Sequence, residues 1–114
     1  MHALSIGKVR GLRATSTAQG VFTVLAFDHR QSFAKMLPSA NGHAAPYDQV
    51  VLAKRAVVEA LAPHSSAVLL DPVYGAAQTI ASGALPRETG LMVAVEETGY
   101  TGTDTARLTE LLPE

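Results

Sequence analysis

The chain has 114 residues, 47% of them apolar, and a formal net charge of −1. This fits a single globular domain with a modest core and lacks the basic stripe of a general nucleic-acid binder. With no cysteine there is neither a disulfide framework nor thiolate chemistry.

The opening stretch, "MHALSIGKVRG", has no long apolar core and no small-residue cleavage site, so no secretory signal is expected. No segment approaches the ~18 consecutive apolar residues of a membrane span. Even "AVLLDPVYGAA" is interrupted by Asp71 and Pro72. A cytoplasmic protein with no membrane partner is the expectation.

Residues 4–16 set Leu4, Ile6, Val9 and Leu12 at roughly helical spacing, with Ser5 placed to cap the start. Gly7 and Gly11 each weaken that helix by about 1 kcal/mol relative to Ala. "TSTAQG" (15–20) reads as a turn. "VFTVLAF" (21–27) is β-branched, aromatic and apolar on both faces, the pattern of a strand covered on both sides. A polar loop, "PSANGHAAP" (38–46), leads into a long helix. On that helix Val50, Ala53, Val57 and Leu61 mark an apolar face, and Lys54, Arg55 and Glu59 a polar one. Asp48 suits its first turn and Pro63 its end.

"AVLLD" (67–71) is a second buried strand and "YGAAQTIASGAL" (74–85) a short Ala-rich helix, ended near Gly83 and Pro86. "GLMVAVEE" (90–97) is a third buried strand, and "TDTARLTELL" (103–112) a final helix capped by Thr103 or Asp104. Alternating helices and buried strands predict an α/β fold with parallel strands and right-handed crossovers.

Each strand drops from apolar to acidic at its C-terminal edge, at Asp28, Asp71 and Glu96. In α/β folds that edge is where ligands bind. A sheet of three parallel strands would leave both outer edges unpaired. A (β/α)8 barrel takes roughly 250 residues, so this chain would supply less than half of one.

Asp28 is a candidate general acid/base or an orienting group for a substrate hydroxyl; the structural alternative is a carboxylate accepting backbone N–H groups in the turn. Arg30 suits bidentate binding of a phosphate or carboxylate, or a surface ion pair. His29 is next to Asp28, but successive residues on a strand point to opposite faces. No second histidine follows at ligand spacing, and no metal site is expected. Asp71, before Pro72, fits either substrate binding or a turn, and Glu96 ends a buried strand. "EETGYTGTD" (96–104) lacks Gly-Lys-Ser/Thr and is not a P-loop. Ser65 and Ser66 lack the glycine frame of a nucleophile elbow. A Schiff-base lysine needs a dry pocket at a strand end, yet Lys8, Lys35 and Lys54, the only lysines, all lie off the predicted strands.

"LAFDHRQSFAKML", "LLDPVYG" and "VAVEETGYTGT…RLTELLPE" together resemble the N-terminal part of the class I aldolases of the tagatose-1,6-bisphosphate aldolase family, with which the sulfofructosephosphate aldolases are grouped. The resemblance runs from about Gly20 to Glu114. It implies the first three β/α units, with a leading helix, of a TIM (β/α)8 barrel, as one partial domain over 1–114. It further implies cleavage of a phosphorylated ketose to dihydroxyacetone phosphate and an aldehyde, through a lysine imine and without cofactor or metal. Asp28 would then be catalytic, and His29, Arg30, Asp71 and Glu96 would bind substrate or shape its pocket. Arg30, Asp71, Tyr74, Gly75, Glu96, Thr98, Gly99 and Tyr100 match the family's motifs. His29 stands where many tagatose-bisphosphate aldolases have Gln, and Glu97 where the family often has a basic residue. In the family the imine-forming lysine and most phosphate-binding groups lie beyond "LLPE", so this chain is expected to be inactive alone and to assemble as a homo-oligomer. The alternatives are a non-catalytic half-barrel assembly module and another α/β phosphosugar enzyme, such as an aldolase of inositol catabolism.

Overall fold

The computed structural model describes residues 3–39, 42–97 and 107–108. Its elements are α1 (Ile6–Thr15), β1 (Val24–Phe27), α2 (Gln31–Met36), α3 (Tyr47–Leu61), a 3-10 turn (Ala62–His64), β2 (Ala67–Leu70), α4 (Ala76–Ala81) and β3 (Gly90–Val93). The strands form one parallel sheet in the order β1-β2-β3. The alternating α/β reading and the parallel strands are therefore present.

Register divides the sheet into two faces. Leu25 aligns with Val68 and Leu91, and Phe27 with Leu70 and Val93. Leu25, Phe27, Val68, Leu70 and Leu91 pack with Val57, Val58 and Ala62 of the α3 segment and with Ala76 of α4 to form the main core. A smaller cluster of Ala34, Ala45 and Val50, joined by Phe33 and Tyr74, seats α2 against α3.

On the opposite face, Val24 aligns with Ala67 and Gly90, and Ala26 with Leu69 and Met92. Helix α1 covers only the N-terminal end of this face. There Gly90 lies so close to the backbone of Ala14 and Thr15 that a Cβ would overlap it. Ser66 Oγ donates to the Thr15 carbonyl at 2.7 Å, which holds the end of α1 to the start of β2. Beyond this contact the face is open, with Val24 38% and Met92 39% exposed. The sequence predicts cover on both faces; the described residues cover one face, except at Val93 (37% exposed), and the base of the other.

Three further expectations change. The strands are shorter than predicted. Thr23 is bonded to Ser66 partly through side chains, and the Val21 carbonyl accepts from Thr17, so pairing begins at Val24. At the other end β2 stops at Leu70 because Asp71 turns away; Ala94 still donates to the Leu70 carbonyl, and the parallel pairing of β3 with β2 ends there. Helix α2 was not predicted; it occupies Gln31–Met36, between the end of the first strand and the loop expected at 38–46, which stays a loop where it is described. Most of the helix expected over 103–112, and the family matches at Thr98, Gly99 and Tyr100, lie outside the described residues. Within that span Leu108 forms an isolated antiparallel bridge with Glu96, and the Arg107 carbonyl accepts from the Glu97 amide.

Candidate functional site at the carboxyl edge of the sheet

Asp28 and Asp71 are the first residues past β1 and β2, which end at aligned positions, Phe27 and Leu70. Glu96 stands three residues past β3. Parallel pairing thus brings the three acidic strand ends predicted from sequence to one edge. They then differ in what each carboxylate does.

Asp71 is committed to the fold. Its side chain has no exposed surface. Oδ2 accepts the amides of Val73 at 2.9 Å and Tyr74 at 2.6 Å, closing a turn over Pro72. Oδ1 pairs with Lys54 Nζ at 2.7 Å. Gly75 is required here: a Cβ would sit 2.9 Å from Asp71 Oδ1 and 3.3 Å from Leu70 Cβ. Asp71 therefore shapes the "DPVYG" loop from within and presents no free carboxylate to solvent.

Asp28 is different. Phe27 packs in the core beneath α3, and Asp28 is the first residue past the strand. Asp28 is half-buried, and no hydrogen bond or ion pair holds its carboxylate among the described residues. An available carboxylate at a strand end can take up a proton or orient a hydroxyl.

Arg30 and Glu96 are brought together. Arg30, just before α2, donates from Nη2 to the Glu96 carbonyl at 3.0 Å, joining the loops that follow β1 and β3. The Arg30 side chain is half-buried, while those of His29 and Glu96 are exposed. Tyr74 extends the edge: Gln31 Nε2 donates to its hydroxyl at 3.2 Å, and its ring lies 5.3 Å from that of Tyr47.

The residue missed from sequence is Lys54. It was expected on the solvent face of the long helix, with Arg55 and Glu59. It is instead completely buried, between Val50 and Val58 on the same face of α3. Besides pairing with Asp71, Nζ donates to the Phe27 carbonyl at 2.9 Å and lies 4.4 Å from the Phe27 ring centroid. The signal was its spacing, four residues from each of two buried valines; lysine's usual exposure masked it. Arg55 does face solvent, 3.8 Å from Glu59.

Among the described residues no three His, Cys, Asp or Glu side chains converge as a metal would require. No helix is long and apolar enough to cross a membrane, among the same residues.

Proteins of known identity match the whole of this edge. Tagatose 1,6-diphosphate aldolase 2 of Enterococcus faecalis is 37% identical over 115 aligned residues, covering 100% of this chain. The tagatose 1,6-diphosphate aldolase of Listeria monocytogenes serotype 4b is 38% identical over 114 residues, again 100% of the chain. Tagatose 1,6-diphosphate aldolase 1 of Streptococcus pyogenes serotype M1 is 38% identical over 96 residues, 84% of the chain. The chain is a homologue of the tagatose 1,6-diphosphate aldolases. It spans about a third of their length, 33%, 32% and 29% of these three relatives respectively. No protein-family model matches it. The resemblance to tagatose-1,6-bisphosphate aldolases drawn from three motifs is thus met by relatives along the chain.

Proposed function

We propose that residues 1–114 are the N-terminal portion of a class I, imine-forming aldolase of the tagatose 1,6-diphosphate type. They would fold as the leading helix and first three β/α units of a (β/α)8 barrel. The observation that carries the reading is the available Asp28 carboxylate at the carboxyl edge of a parallel sheet, in a chain homologous to these aldolases throughout. In such a barrel the open face of β1–β3 is the interior, and the edge bearing Asp28 is the mouth of the active site.

In aldol cleavage the C3–C4 bond of the ketose breaks as the C4 hydroxyl loses its proton. The bonding electrons stay with C3 and are drawn into the iminium at C2, to which C3 remains joined, while C4 leaves as the aldehyde carbon. Asp28 would accept or steer that hydroxyl proton. Arg30 and His29 would lie along the substrate, with Arg30 suited to a phosphate oxygen. Glu96 would add polar contacts near the carbonyl, and Asp71 would hold the pocket wall. The substrate class is a phosphorylated ketose, released as dihydroxyacetone phosphate and an aldehyde, and a cytoplasmic location goes with that chemistry.

The imine lysine would be supplied by sequence outside these 114 residues. Lys54 is buried and paired, whereas Lys8 and Lys35 are exposed on α1 and α2, off the strands. The chain is therefore expected to be inactive alone. Incubation with dihydroxyacetone phosphate and borohydride, followed by mass measurement, tests this. No stoichiometric adduct is expected; one adduct per chain at a single lysine, with aldol turnover, would refute it.

A further inference from the structure

Lys54 is a buried lysine that the proposed chemistry leaves unused. Burying an ammonium is costly, and apolar residues in place of such a pair often serve stability as well or better. Stability alone therefore gives no reason for lysine at the centre of a face otherwise built from Val50 and Val58. Its partners give one. Nζ reaches the Phe27 carbonyl at 2.9 Å and the Asp71 carboxylate at 2.7 Å, and lies 5.6 Å from the Phe33 ring centroid on α2. One ammonium ties together the end of β1, the start of the loop after β2, and α2.

The Phe27 carbonyl is the decisive contact. It belongs to the same rigid peptide plane as the Asp28 amide. Ladder pairing of β1 ends at Phe27, and the Asp28 side chain has no partner of its own among the described residues. The direction in which Asp28 leaves the strand is set by the peptide that Lys54 holds. Asp71 completes the anchor, because its other oxygen fixes the Val73 and Tyr74 amides.

We propose that Lys54 is a positioning residue that fixes the ends of β1 and β2 and thereby aims Asp28. The inference rests on the role given to Asp28 above. A misplacement of about 1 Å at a reacting group can cost on the order of a hundredfold in rate, so an anchor one residue away has a catalytic consequence.

The test is the double variant Lys54→Met/Asp71→Asn. It removes both charges, while the asparagine oxygen can still accept the Val73 and Tyr74 amides. Hydrogen exchange is read on the 114-residue chain. The Ala34 amide, which donates to the Arg30 carbonyl at 3.0 Å, should exchange about tenfold faster or more, with the amides of residues 67–70 within about threefold of wild type. Unchanged exchange at Ala34, or an equal rise at both places, would overturn the proposal. If the double variant does not fold, the wild-type chain decides by NMR. A slowly exchanging Lys54 ammonium coupled to the Phe27 carbonyl is expected, and a rapidly exchanging one overturns the proposal. In the longer aldolase polypeptide the double variant should lower kcat about tenfold or more at little-changed KM, and an unchanged kcat counts against positioning. Absence of turnover in that wild-type polypeptide would defeat the functional reading alone, since exchange and NMR need no activity.

Discussion

The Lys54 ammonium and the Asp71 carboxylate meet at 2.7 Å with neither side chain exposed, and together they join α3 to the ends of two neighbouring strands. Removing one partner strands the other as an uncompensated buried charge. Lys54→Met or Asp71→Asn is therefore expected to destabilise the chain by roughly 3–5 kcal/mol. Lys54→Met/Asp71→Asn should recover most of that loss. Urea unfolding of wild type, the two single variants and the double variant checks this, and a double variant whose loss equals the sum of the two single losses would show that the pair is not coupled.

Glycines separate into two groups with opposite predictions. Gly75 faces Asp71 at a distance no Cβ tolerates, and Gly90 lies against the backbone of α1. Gly75→Ala should cost about 1–3 kcal/mol through overpacking, and Gly90→Ala should push α1 off β3. Gly7 and Gly11, within α1, have nothing within 4 Å of an added Cβ. Alanine at either should stabilise by about 0.5–1 kcal/mol. Thermal unfolding of the four single variants reads both signs, and a stabilising Gly75→Ala would contradict the close packing described here.

Most of the layout was legible in the chain. The runs expected as strands, 21–27, 67–71 and 90–97, were recognisable because both of their faces are apolar, and the strands at 24–27, 67–70 and 90–93 lie within them. Ser5 caps α1 as expected, its Oγ accepting the Lys8 amide at 3.4 Å. Gly83, at φ +73°, ends α4 where a left-handed residue was needed. What was not legible depends on tertiary neighbours. Strand lengths are set by where the partner strand turns away, as Asp71 does. Helix α2 has six residues, too few for a helical period to stand out, and rests on Phe33 and Ala34 finding a core. Lys54 was assigned to solvent by residue type, since its partners are 17 and 27 positions away in sequence. The acidic strand ends were found by pattern. The pattern could not separate Asp71, whose carboxylate is consumed by its own turn, from Asp28, whose carboxylate is not.

The open face yields a prediction about assembly. Val24, Ala26, Leu69 and Met92 share a face that α1 covers only at its base. Each large apolar side chain left in water forgoes about 1.5–3 kcal/mol of burial, and an unpaired parallel edge invites further pairing. The 114-residue chain should therefore self-associate, as a homo-oligomer or as aggregates, at micromolar concentration. Sedimentation tests this. A compact, cooperatively unfolding monomer would show that the chain closes its own core, against the partial-barrel reading.

Asp28 carries the proposed catalytic role. The most direct measurement is the cleavage of tagatose 1,6-diphosphate, the substrate named for the relatives, by the aldolase polypeptide proposed to contain these residues, with and without Asp28→Ala. An acid/base group contributes about 10²–10⁴-fold to rate. The variant is thus expected to lose at least about a hundredfold in kcat while its thermal unfolding stays close to that of wild type. Wild-type kcat in a folded Asp28→Ala enzyme would contradict the catalytic assignment at this edge of the sheet.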